Sequence, residues 1–183
     1  MFDQLIKRVA SRYILAFRWK AFLNMVRLPG VFGVVSAYQG KIKSQNKDAK
    51  TELIKVLNSK GYTRAHRLGG SWEGVAEQSY IVQDIHYKDL FDIGRKFNQD
   101  SVIYKGKNGI IGMYFLKALK AIVAVNPDLS PAFQTAEGTG LISKVDQNWS
   151  FDFGFLWGNE IPWDGQNPIS IDQVKAALAK TNP

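Results

Sequence analysis

The stretch GGSWEGVAEQSYIV, residues 69–82, gathers the side chains best suited to chemistry: Glu73, Glu77 and Ser79, with His66 just upstream. Two carboxylates can divide acid and base roles when their surroundings push their proton affinities apart. With Gln99 as a hydrogen-bonding neighbour, Glu73, Glu77 and His66 make a candidate site for a metal-dependent hydrolase or nuclease. On a helix, a spacing of four would put both glutamates on one face, but Gly69, Gly70 and Gly74 oppose a helix there. The favoured reading is simpler: a glycine-rich turn before a strand, with Trp72 at a sheet edge and Glu77 bonded to a neighbouring amide.

Other chemistries find less support. Phosphodiester hydrolysis on Mg²⁺ needs converging carboxylates, often with a lysine behind them on a strand. Asp84 with Lys88, and Asp100 with Lys105, have the residue types but not that spacing. His66 and His86 are the only histidines and there is no cysteine, which removes thiolate zinc sites, disulfides and cysteine nucleophiles. GKNGIIG lacks the Gly-Lys-Ser/Thr of a phosphate loop and reads as a hairpin. No metal and no cofactor is expected.

Charge is the more telling signal. Residues 1–60 carry twelve Lys/Arg against three acids, while the remaining chain carries twelve against thirteen, so the whole excess of +8 belongs to the first third. Such asymmetry suits a nucleic acid or an acidic protein surface as partner, with Lys7, Arg8, Arg12, Arg18, Lys41, Lys43 and Lys47 carrying the attraction. The cations at 7, 8, 12 and 18 also interrupt the apolar N-terminus, so neither a secretory signal nor a membrane span is expected.

The elements that must position these residues follow from periodicity. Residues 1–30 read as a basic helical arm: Phe2, Leu5, Ile6, Val9, Tyr13 and Phe17 share one helical face, and Pro29-Gly30 ends it. Residues 31–125 read as the core domain. VFGVVSAY (31–38) is a buried strand, and a helix follows to Gly61, capped by Ser44 or Asn46. YTRAHRL reads as an exposed strand and QSYIVQ as a better one, before a helix over 86–97 with Asp84 and Asp89 as its N-terminal charges. SVIYK and IIGMYF form a hairpin turned by Asn108-Gly109. AIVAV reads as a strand, although LKALKAIVAV also has a helical reading.

Residues 126–183 then supply a long loop (126–148), an aromatic strand and a C-terminal helix packing on the core. Trp149, Phe151, Phe153, Phe155 and Trp157 alternate onto one face. Without interleaved cations they suit a core or interface strand better than a stacking platform for single-stranded nucleic acid. Ser170 and Gln173 stand in capping-box positions. The expected fold class is α+β, a mixed or antiparallel sheet with helices mainly on one face, plus the N-terminal arm.

Residues 31–115 resemble a family of small uncharacterised domains of bacteria and tailed phages. VVSAY, Asn46, KGY, GGSWEGVAEQSYIV and IGRKFNQDSVIY carry the likeness, through Gly70, Trp72, Glu77, Ser79, Phe97, Gln99 and Ser101. The resemblance implies a structural role for the acidic stretch, with Glu77 and Gln99 hydrogen-bonded across adjacent strand ends. The arm and the aromatic tail are similar to phage-encoded versions. The expectation is a non-enzymatic virion component or small basic factor, in the host cytoplasm or the virion. Self-assembly, or assembly with virion proteins, is a further expectation, through the first helix and the aromatic strand.

Overall fold

A computed structural model of the chain describes residues 30–38, 43–72, 75–126, 133–134, 142–146, 149–153, 155–156 and 158–181. The proposed helical arm, with Lys7, Arg8, Arg12 and Arg18, lies outside the described residues, as do Lys41 and Glu73. Ten strands build one sheet: β1 (Phe32–Ser36), β2 (Ala65–Trp72), β3 (Val75–Gln83), β4 (Ser101–Lys105), β5 (Ile111–Phe115), β6 (Lys120–Ala124), β7 (Phe133–Gln134), β8 (Ile142–Asp146), β9 (Trp149–Phe153) and β10 (Ile161–Pro162). Their order is β10-β6-β5-β4-β1-β3-β2-β8-β9-β7, and every described pairing is antiparallel. The helices are α1 (Lys43–Ser59), α2 (Tyr87–Lys96) and α3 (Ile171–Thr181), so the class is α+β.

Strand alternation sends side chains to two apolar clusters. One holds Val35, Tyr80, Val82, Val102, Tyr104 and Tyr114 from the sheet. Leu53 and Leu57 of α1, Leu90, Phe91 and Ile93 of α2, and Val174 of α3 close it. The other holds Phe32, Val34, Leu68, Ile81, Ile103, Ile111, Met113 and Ile122, and no helix residue; Phe153 and Phe155 fill it. The sheet reaches this second arrangement by rolling. Only three residues after Phe153 of β9, Leu156 N donates to Val123 O of β6 (2.9 Å), although the two strands stand near opposite ends of the order. Phe32 stacks on Phe153 with centroids 6.2 Å apart. Over β1, β4, β5 and β6 both faces of the sheet are therefore buried, one under helices and one against Phe153 and Phe155.

Glycine lets α2 lie close. A Cβ at Gly33 would stand 2.7 Å from Leu90, and one at Gly94 would stand 2.7 Å from both Leu116 and Val102. Beneath α2, Phe91 meets Tyr104, Tyr114 and Trp163 at centroid distances of 6.3, 5.1 and 4.9 Å. Tyr114 Oη accepts from Ile169 N (3.1 Å), which fastens the segment entering α3, and burial pushes its phenol well above the ordinary tyrosine range.

Several expectations need correction. GGSW is strand rather than turn: β2 runs to Trp72, which pairs with Val75, so Glu73 and Gly74 alone join the two strands. Glycine weakens a strand but is carried where both neighbours hold it in register, and β3 and β8 do so here. Ser44 and Asn46 lie inside α1, which already begins at Lys43. Asp84 is a left-handed turn residue (φ 57°), and His86 caps α2 by accepting from Lys88 N (3.3 Å). At the β4–β5 turn only Gly109 has positive φ, within a five-residue connection. The expected loop over 126–148 contains β7 and β8. The strand reading of AIVAV holds as β6, and β9 ends at Phe153 while Phe155 stays buried beside it. The capping box is present: Gln173 N donates to Ser170 Oγ (3.2 Å) and Ser170 N to Gln173 Oε1 (3.0 Å).

Candidate functional site

The register places Glu77, Tyr38 and Gln99 at the same end of the sheet, but not as the resemblance implies. Glu77 stands opposite Gly70 in β3, and Gln99 precedes β4. β1 lies between those strands, so the two backbones are two strand spacings apart, about 9–10 Å. The buried Gln99 amide donates instead to Tyr38 O and Phe97 O, both at 3.0 Å. It ties the end of β1 to the end of α2. Ser36 Oγ, donating to Gln78 O (3.1 Å) and accepting from Tyr38 N (2.9 Å), completes the structural seam.

His66 does not join it. It is exposed in β2 opposite Ile81, four residues along β3 from Glu77, or roughly 13 Å. The Asp100/Lys105 pair is also dispersed. Asp100 is exposed and bridges to Lys117 (2.8 Å), while Lys105 is buried at the far end of β4. Among the described residues, no group of three or more His, Asp or Glu stands close enough to hold a metal ion.

Lys105, weighed in the sequence only beside Asp100 as a nuclease pair, has a structural place instead. It is 1% exposed, and its Nζ donates to Gly30 O (2.7 Å), where the chain enters β1. Burial lowers its proton affinity below the ordinary lysine value. Its position at the end of SVIYK carries no sign of this, because a strand-terminal lysine is usually solvated.

The surface that remains is built on α1 and β2. Asn46, Leu53 and Leu57 point inward, so the helical period sets Lys47 and Lys50 on one flank and Asp48 and Glu52 on the other. Glu52 bridges Lys96 at the end of α2 (3.5 Å), and an open groove of about 710 Å³ between the helices is lined by Asp48, Glu52, Lys55, Lys96 and Phe97. The acidic flank thus faces α2. The Lys47/Lys50 flank is the one away from α2, which lies over β1 and β4, and in β2 Arg67 shares the helix-bearing face with Ala65 and Tyr80.

A hydrogen-bonded lock fixes that orientation. Asp89, in the first turn of α2, accepts from Lys60 Nζ and from Tyr62 Oη, each at 2.6 Å, and Tyr62 Oη also accepts from His86 N (3.1 Å). The Lys60 and Tyr62 bonds hold the Asp89 carboxyl below its usual range. Burial and the Asp89 bond raise Tyr62, and the Asp89 bond raises Lys60.

The five ion pairs among described residues are Lys60–Asp89, Arg95–Asp92, Lys96–Glu52, Lys117–Asp100 and Lys120–Glu160. Lys47, Lys50, Lys55, Arg64 and Arg67 are in none of them. Of the cations expected to bind a partner, Lys47 is exposed on this surface and Lys43 begins α1. Arg64 and Arg67 were not singled out from the sequence, although YTRAHRL held the signal: two arginines in an exposed strand.

No protein-family model matches the chain, and no curated protein matches it. Among the described residues no helix is long and apolar enough to cross a membrane.

Proposed function

We propose that this chain is a non-enzymatic, phage-associated protein, a virion component or a small basic factor, that contacts nucleic acid or an acidic protein surface through its N-terminal third. One observation carries the reading. Within residues 43–72 the cations Lys47, Lys50, Lys55, Arg64 and Arg67 are in no ion pair among the described residues and Lys60 is in one, whereas from residue 75 on Arg95, Lys96, Lys117 and Lys120 are matched by an acid of the chain and Lys88, Lys107, Lys175 and Lys180 are in none of the described pairs. Lys7, Arg8, Arg12, Arg18 and Lys41 add to that charge in the sequence. The phage association rests on the resemblance of residues 31–115 to a family of bacteria and tailed phages, and on the likeness of the basic arm and aromatic tail to its phage-encoded versions.

Polyanion binding of this kind works by displacing counterions, so it has a steep ionic signature. The test is to titrate the full chain with a labelled oligonucleotide and with polyglutamate over a series of salt concentrations. For the oligonucleotide, log affinity should fall linearly with log salt, by roughly 0.7–0.9 for each phosphate neutralised. No binding of either polyanion at low salt, or binding indifferent to salt, would overturn the reading.

A further inference from the structure

The cap of α2 requires a neutral histidine. His86 stands at the N-cap with extended backbone (φ −73°, ψ 137°), and its Nδ1 accepts from Lys88 N (3.3 Å). An imidazole nitrogen that accepts carries no proton, so the proton of the neutral ring sits on Nε2. The exposed ring stacks on Tyr87 with centroids 4.5 Å apart. Asp89, in the same first turn, does not close the cap directly. A capping box would join its carboxylate to His86 N. Here the Tyr62 hydroxyl stands between them, accepting from His86 N (3.1 Å) and donating to Asp89 (2.6 Å). Asp89 also accepts from Lys60 Nζ (2.6 Å), so the cap and the residues that follow α1 form one network.

Protonation inverts the first of these bonds. Histidine changes charge between about pH 5 and 8, and its cation carries a proton on both nitrogens. Nδ1–H would then meet Lys88 N–H, donor against donor, with a positive charge at the positive end of the helix dipole. The cations Lys60 and Lys88 oppose that charge. Tyr62, Tyr87 and Tyr104, which packs on Tyr87, are neutral in this range. The acids are Asp84 in the preceding turn, Asp89 and Asp92 of α2, and Asp164, which holds Asn167 beside the Tyr87 hydroxyl. Asp89 is the one already inside the network. Its carboxyl, held low chiefly by the Lys60 and Tyr62 bonds, is lowered in smaller part by His86.

We propose that His86 is a proton-operated switch at the head of α2. Once charged, the ring gives up Lys88 N and takes Asp89 as its acceptor, and Lys60 loses its carboxylate. Lys60 is exposed, so it then joins the unpaired cations of α1 and β2. That last consequence rests on the proposed polyanion contact, whereas the switch itself does not.

The test is a nuclear magnetic resonance titration of the full ¹⁵N-labelled chain between about pH 8 and pH 5.5. At the upper end the His86 ring should be the Nε2–H form. As it titrates, amide protection at Lys88, corrected for the intrinsic rate, should fall at least threefold. Phe97 N, bonded to Ile93 O at the far end of α2 (3.0 Å), should keep its protection. His86→Asn caps without titrating, so it should hold Lys88 equally protected at both ends. A ring protonated on Nδ1 at pH 8, or Lys88 protection that ignores the titration of His86, would overturn the switch, and both are read on the parent whether or not His86→Asn folds. For Lys60, a labelled oligonucleotide at fixed low salt should gain at least threefold more affinity on acidification of the parent than of His86→Asn; His66 titrates in both proteins and cancels. Equal gains would overturn the release of Lys60. An oligonucleotide and polyglutamate that bind at neither pH would overturn the proposed function, and the Lys88 amide would still decide the switch.

Discussion

Arg95, Lys96, Lys117 and Lys120 each meet a carboxylate of the chain itself, whereas Lys47, Lys50, Lys55, Arg64 and Arg67 meet none among the described residues. The first group borders α2 and the β5–β6 turn, over the aromatic cluster built from Phe91, Tyr104, Tyr114 and Trp163. The second lies on α1 and β2. Exposed ion pairs add little stability, so the pairing in the first region matters chiefly because it cancels the local field. The second region keeps its field and can spend it on a partner. On the proposed function, attraction would fall mainly to α1 and β2, while the aromatic cluster supplies much of the core.

The sharpest way to break that division is to damage the stable side. Phe91→Ala empties the space between Tyr104, Tyr114 and Trp163 and should cost about 3–5 kcal/mol, read as a lowered denaturant midpoint. Polyanion affinity of the protein that remains folded should not change. If affinity falls with the core, the two regions are not separable.

A pH series probes the same cluster more gently. Tyr62, Tyr104 and Tyr114 are all raised by burial, so the folded chain holds these protons more tightly than the unfolded one. Their contribution is complete below the unfolded tyrosine value of about 10 and is lost as pH rises through the folded values. The buried Lys105 acts in the opposite sense, since its lowered proton affinity favours the folded state as pH climbs. Three tyrosines should outweigh one lysine, and thermal unfolding should shift to lower temperature above about pH 10.

The lock between the regions gives a smaller effect. Asp89→Asn weakens the tie to Lys60 and should lower the thermal midpoint by roughly 2–4 °C near neutral pH. Because the Asp89 carboxyl sits below its ordinary value, the difference between parent and variant should close as pH falls through and below the usual carboxylate range. A gap that persists in acid would mean that the bond to Tyr62, rather than the charge, does the holding. Smallest of all is Lys117→Ala, which breaks an exposed pair to Asp100 and should stay within about 0.5 kcal/mol by denaturant melt.

What could be read in advance was local. The α3 capping box, the amphipathic stripe of α2 and the strand SVIYK depend on neighbours in sequence, and each stands where its pattern put it. The misread features are tertiary. GGSW looked like a turn because paired glycines suppress a strand pattern, and only β3 and β8 on either side hold it extended. β8 was hidden in a stretch rich in Gly, Ser and Thr for the same reason. The resemblance implies Glu77 and Gln99 as neighbours, and nothing in the chain announces that β1 inserts between their strands. The charge asymmetry was visible as a count, but which cations stay unpaired depends on where Asp89, Glu52, Asp100 and Glu160 come to rest.

The comparison of two charge-reversed proteins bears most directly on this division. One carries Lys47→Glu, Arg64→Glu and Arg67→Glu; the other carries Lys107→Glu, Lys117→Glu and Lys120→Glu, an equal change in net charge at the connections that flank β5. Each is titrated with the same labelled polyanion at a fixed low salt concentration. The first triple should lose at least tenfold in affinity and flatten the salt dependence, while the second stays within about threefold of the parent. Equal losses in the two proteins would show that only net charge matters, and the unpaired surface on α1 and β2 would have no special role.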